Sequence, residues 1–249
     1  MKTTNPALST KILEQFGRTG QVYAGEAMTV EGAINKSALL VFLVVVPATW
    51  MWTEVHRTGG LETVMPWMVG GLIGGFVTAL VTIFKKEWSP VTAPIYAVLE
   101  GLAIGGLSAV FELQYHGIVL QAVALTFGTL ICMLAAYRTG LIKVTDKFRM
   151  GVVAATGAIA LVYVVALLLS FFGITVPYLH QGGTAGTIIS LVIVTVAALN
   201  LVLNFDFIEQ AVNVGAPKYV EWYAAFGMMV TLIWLYLEIL RLLGNLRRR

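Results

Sequence analysis

The chain is 249 residues long, 58% hydrophobic and only 12% charged, whereas an ordinary soluble domain is roughly a quarter charged. Its net charge of +3 comes from Lys and Arg near the ends of apolar runs, and no basic stripe is interleaved with stacking aromatics, which excludes nucleic-acid binding as the origin of that charge. The single cysteine, Cys132, lies within an apolar run, so neither an internal disulfide nor a Cys-rich metal framework can form.

In chain order, the first 36 residues are too polar for a cleavable signal peptide and read as a cytoplasmic N-terminal arm. Within it, ALSTKILEQF sets Leu8, Ile12, Leu13 and Phe16 on one helical face, the pattern of a short helix lying on the membrane surface. The remainder, 37–249, reads as a single membrane domain. A membrane-crossing helix needs about 20 mostly apolar residues, and the sequence offers seven such runs near 37–54, 66–84, 93–113, 117–137, 150–172, 184–205 and 222–243. The expected fold is an all-α bundle of seven transmembrane helices.

The first run contains Pro47, tolerable where neighbouring helices satisfy the freed carbonyl. Trp50, Trp52, Trp67, Trp88 and Trp222 fall at span ends, where an aromatic belt meets the membrane interface. The pairs Gly70/Gly74, Gly71/Gly75 and Gly101/Gly105 have the spacing that lets helices approach closely. The three histidines, His56, His116 and His180, are placed in loops and lack metal-binding spacing.

Basic residues set the expected topology. With the N-terminus cytoplasmic, eleven of the 16 Lys and Arg lie on the cytoplasmic side: Lys2, Lys11, Arg18, Lys36, Lys85, Lys86, Arg138, Lys143, Lys147, Arg149 and Lys218. Seven full crossings place Arg247, Arg248 and Arg249 opposite, so the side of the C-terminus stays open.

Ionisable side chains inside membrane spans are expensive and normally face a bundle interior or a water-filled path. Glu100 lies well inside the third run, Asp206 and Glu209 end the sixth, and Glu238 lies in the seventh. Each has a structural alternative. Glu238 and Arg241 are three apart and can form a local ion pair. Glu100 can bond across helices as a neutral carboxyl. Asp206 and Glu209 can cap a helix end near water, and Asn200 and Asn204 can act as interhelical glue. At about 100 degrees per residue, the two asparagines point nearly opposite to the two acids, which suits a helix buried on several sides or lining a path. There is no Walker sequence, no nucleophile elbow, and no intramembrane serine with a histidine to activate it. Enzymatic catalysis has no support in the sequence, and no cofactor is implied.

NPAL (5–8), MTVEGAINK (28–36), YAVLEGLAIGGLSAVFE (96–112), the LNFDFIEQ turn (203–210) and APKYVEWYAAFGMMVTLIWLYLEILRLL (216–243) together resemble the Bax inhibitor-1, or transmembrane Bax inhibitor motif, family, in its bacterial branch. The resemblance covers nearly the whole chain. It implies seven helices with the last one central, in the inner membrane of a bacterium. It further implies a Ca²⁺ leak channel gated by protonation of an aspartate pair on the sixth and seventh helices. Asp206 matches the sixth-helix position and is the possible Ca²⁺ contact. The seventh-helix position falls at or near Thr231, which is not an acid, so Glu238 or Glu221 would have to replace it. The expected function is a pH-regulated cation leak whose partners are the lipid bilayer and the cations themselves, Ca²⁺ or H⁺. The alternatives are a proton-coupled secondary transporter using Glu100 or Asp206, and a non-transporting membrane scaffold in stress responses.

Overall fold

A computed structural model describes residues 27–58, 60, 62–172 and 184–247. The segments NPAL and 7–16, together with His180, Arg248 and Arg249, lie outside the described residues. Seven helices are long and apolar enough to cross a membrane. They are α1 (Val30–Thr58), α2 (Met65–Phe84), α3 (Ser89–Gln114), α4 (Ile118–Arg138), α5 (Asp146–Phe171), α6 (Thr184–Asn213) and α7 (Tyr219–Arg247), with a short 3-10 turn at Lys86–Trp88 before α3. Among the described residues there is no strand, only an isolated bridge between Ala27 and Pro217. The protein is an all-helical integral membrane protein.

Each predicted span corresponds to a helix, but several helices run past their apolar cores. Helix α1 begins at Val30 rather than near 37, because EGAINK continues the helical register and Glu31 in the first turn suits the helix N-terminus. Helix α3 begins at Ser89 rather than 93, with Pro90 in its first turn, where proline lacks no needed hydrogen bond. The largest difference is at α6. The LNFDFIEQ segment is not a turn but helix, and α6 continues to Asn213. Its 30 residues span about 45 Å, more than the hydrocarbon thickness of about 30 Å. The chain reverses only at 214–218, where Gly215 has φ 66, a conformation that glycine adopts without steric cost. The Ala216 N–H closes the reversal onto the Ala211 carbonyl at 2.9 Å. His56 is likewise not in a loop: it lies in the last turn of α1, stacked on Trp52.

The helices fall into two compact units. Among the described residues, one comprises 27–116 with Asp206–Val230, and the other comprises Gly117–Phe205 with 231–247. In the first unit α1 and α2 both pack on α3. Glycines permit this closeness. A Cβ on Gly105 would lie 2.6 Å from the Ala48 Cα, and one on Gly101 would lie 2.6 Å from the Pro47 ring and collide with the Val44 carbonyl. On α2, Gly71 faces the Leu99 carbonyl and Gly74 the Leu99 side chain, whereas Gly70 faces open space and is not a packing glycine. Met51, Val55, Val64 and Ala109 form a buried cluster at one end of these helices.

In the second unit α5 shows most of its apolar side chains outward, including Leu161, Val164, Leu167 and Leu168. Such a surface is stable only against acyl chains. The part of α7 that belongs to the first unit is the opposite case. Tyr223, Ala224, Ala225 and Phe226 are four consecutive buried residues, and four consecutive positions cover the full circumference of a helix.

Candidate functional site

The polar residues of α6 and α7 are held by specific partners. Asn200 donates to the Thr156 hydroxyl on α5 at 2.7 Å and to the Val196 carbonyl at 2.9 Å. One turn on, Asn204 donates to the Thr231 hydroxyl on α7 at 2.8 Å. Both asparagines and Thr231 are buried, so the bonds to Thr156 and Thr231 are interhelical bonds formed away from water, where an unpaired amide would be costly. Near the end of the same unit, Asn245 donates to Ser190 at 3.1 Å and fixes α7 on α6 again.

Glu238 is the most buried acid of the second unit, at 2% exposure. Tyr163 on α5 donates its hydroxyl to the carboxylate at 2.5 Å. Arg241, one turn along α7, approaches both carboxylate oxygens at 3.3 Å. The same guanidinium bonds the Tyr163 oxygen and lies 5.2 Å above the tyrosine ring. The i,i+3 ion pair expected from the sequence is therefore present, as one side of a three-residue cluster. Tyr163 had no signal in the sequence: a tyrosine in an apolar run usually reads as packing, and its partner lies 75 residues away.

In the first unit Asp206 is half-buried and accepts a hydrogen bond from Gln210 at 2.7 Å. Because α6 continues to Asn213, Asp206 stands inside the helix and does not cap its end. An anion near a helix C-terminus also opposes the macrodipole, so capping would not favour it there. Glu209 is exposed. The asparagine face of α6 is thus the buried one and the acidic face the more open one.

Glu100 is half-buried within α3. It shares a hydrogen bond with the Tyr96 hydroxyl one turn earlier and faces the backbone of Gly75 on α2. Among the described residues no cation pairs with it. Below it, the Thr82 and Thr92 hydroxyls join α2 to α3 at 2.8 Å.

Glu221, considered as a substitute for the missing seventh-helix acid, has a different setting. It is 1% exposed in the first turn of α7 and is bonded by the Lys36 ammonium and by the backbone N–H and hydroxyl of Thr29. Lys36 thus belongs to a buried ion pair in addition to counting toward topology.

No three His, Cys, Asp or Glu side chains come together as a metal-binding group among the described residues. Asp206 therefore belongs to no such group among the described residues, and a selective high-affinity Ca²⁺ site takes six or more oxygens.

Neither the curated proteins nor the solved structures compared with the chain gave a match. A family model described as Bax inhibitor 1 like matches residues 5–248, nearly the whole chain. With that match and its seven membrane-length helices, the protein belongs to the Bax inhibitor 1-like family.

Proposed function

We propose that this protein is a pH-regulated cation leak pathway, with Ca²⁺ as the principal cation, in the inner membrane of a bacterium with its N-terminus cytoplasmic. The observation that carries the reading is Asp206: a half-buried carboxylate inside a membrane-length helix, on the side of that helix opposite the buried asparagine face. An acid held in such a helix without a capping role is a functional residue by default. Family membership adds weight, because Asp206 stands where the resemblance places the sixth-helix gate acid.

In this reading a carboxylate gates by its charge. Ionised, it attracts a cation and repels a neighbouring carboxylate; protonated, it does neither. Asp206 is the principal titrating group and the cation contact. Glu238 is the α7 acid nearest Thr231 in the second unit, held by Tyr163 and Arg241, and Thr231 supplies a hydroxyl where the family pattern has an aspartate. Helix α7 occupies the central position, a reading supported by its all-round burial at 223–226.

A proton-coupled secondary transporter is the second reading, favoured by Glu100, whose described partner is a tyrosine hydroxyl rather than a cation. Cation flux into proteoliposomes, measured with and without a pH step, tests both. A leak dissipates a gradient and never builds one, while a coupled transporter accumulates its substrate against one.

A further inference from the structure

Lys36 and Glu221 form an ion pair across 185 residues of sequence, within the first unit, and the contacts around them make a clasp. Ala27 bridges to Pro217, and the Met28 N–H donates to the Ala216 carbonyl at 2.7 Å. The Thr29 N–H and hydroxyl both donate to Glu221 Oε1, at 2.9 and 3.1 Å. Lys36 takes Oε2, with its ammonium 5.5 Å above the Trp222 ring. Gly32 completes the fit. Its N–H donates to Thr29 Oγ1 at 2.9 Å, and a Cβ at this position would fall on the Glu221 carboxylate.

A buried ion pair is a poor device for stability alone, since well-packed apolar side chains hold two helices at least as well. What it supplies is one geometry. Apolar contacts allow a helix to slide or turn by small steps, whereas a carboxylate with three directed donors has a single satisfied position. The clasp therefore sets both the height and the rotation of the first turn of α7 against the start of α1. Helix α7 is continuous from Tyr219 to Arg247, so the clasp sits on the same helix that carries Thr231 and Glu238.

We propose that Lys36 and Glu221 are positioning residues of the leak: the clasp holds α7 in the closed setting, and its release raises cation flux. The inference rests on the leak reading above. Gly32→Ala is the most informative variant, because it pushes the carboxylate from Thr29 without altering any charge. The full-length protein, purified and reconstituted with an entrapped Ca²⁺ dye, would be compared as wild type, Gly32→Ala, Glu221→Gln, Lys36→Met, Lys36→Arg and Thr29→Ala. Flux is normalised to folded protein, and hydrogen exchange is read at 27–36 and 219–225.

Gly32→Ala, Glu221→Gln and Lys36→Met should each leak about tenfold faster than wild type, the shift that losing one charge-assisted hydrogen bond gives a two-state equilibrium. Exchange should quicken in both segments. Lys36→Arg, which keeps the cation, should stay close to wild type, and Thr29→Ala, the mildest change, should fall between. If the wild type leaks and the faster-exchanging variants leak no more than it does, the clasp is only a fold contact and the proposal is overturned while the leak reading stands. A wild type that passes no cation overturns the leak reading itself, and with it the role assigned to the clasp.

Discussion

The Asn204 amide donates to the Thr231 hydroxyl at 2.8 Å, joining α6 to α7 through two buried polar side chains. Thr231→Val keeps the shape and removes the acceptor, leaving Asn204 to be satisfied some other way. The expected cost is about 1 kcal/mol, in line with interhelical hydrogen bonds in membranes, read as a lowered unfolding midpoint in detergent. Thr231→Ser should unfold like wild type.

Thr231→Asp is the more revealing change. It places a carboxylate where the sequence resemblance puts the seventh-helix acid, next to an amide that can donate to it. The variant should fold, and its cation flux should depend more steeply on pH than that of wild type. A folded variant with an unchanged profile would remove Thr231 from the gate.

Around Glu238 the three partners are not equivalent. Tyr163→Phe deletes one donor and leaves the ion pair, and should cost about 1 kcal/mol. Arg241→Met strips the charge partner from a carboxylate that is 2% exposed. The penalty for an uncompensated buried charge reaches several kcal/mol, but Arg241 is itself 40% exposed, so about 2 kcal/mol is expected after allowing for solvent. Glu238→Gln combined with Arg241→Met should recover part of that loss. Thermal unfolding of the three variants and wild type in one detergent checks the order.

Glycine substitutions separate packing from composition. Gly101→Ala and Gly105→Ala each press a methyl group onto the α1 backbone and should cost about 1 to 3 kcal/mol, the range of overpacking. Gly70→Ala meets no atom within 4 Å and should leave stability unchanged or slightly raised, since alanine favours the helix. Equal effects at Gly70 and Gly105 would contradict the helix packing described here.

The seven spans were readable because twenty-residue apolar runs have few other uses, and the close-packing glycines of α3 because their spacing is that of a helix face. The Glu238–Arg241 pair was readable for the same reason: both residues lie on one helix. What sequence periodicity could not reach were partners far apart in the chain. Tyr163 looks like any aromatic of an apolar span, and Lys36 looks like a topology determinant until Glu221 is placed against it. The end of α6 is not legible from hydropathy, because the acids at 206 and 209 interrupt hydropathy without interrupting the helix: Phe205, Phe207 and Ile208 continue its apolar face, and the glycine that reverses the chain comes only at 215.

Ca²⁺ flux from proteoliposomes carrying wild type or Asp206→Asn, followed through a pH step at fixed gradient, tests the gate most directly. Asparagine keeps the shape of the side chain and its contact with Gln210 while abolishing titration. The expected result is a wild-type leak that changes with the step and an Asp206→Asn leak that stays nearly constant. A folded Asp206→Asn protein whose flux follows pH as wild type does would contradict the assignment of Asp206 as the gate.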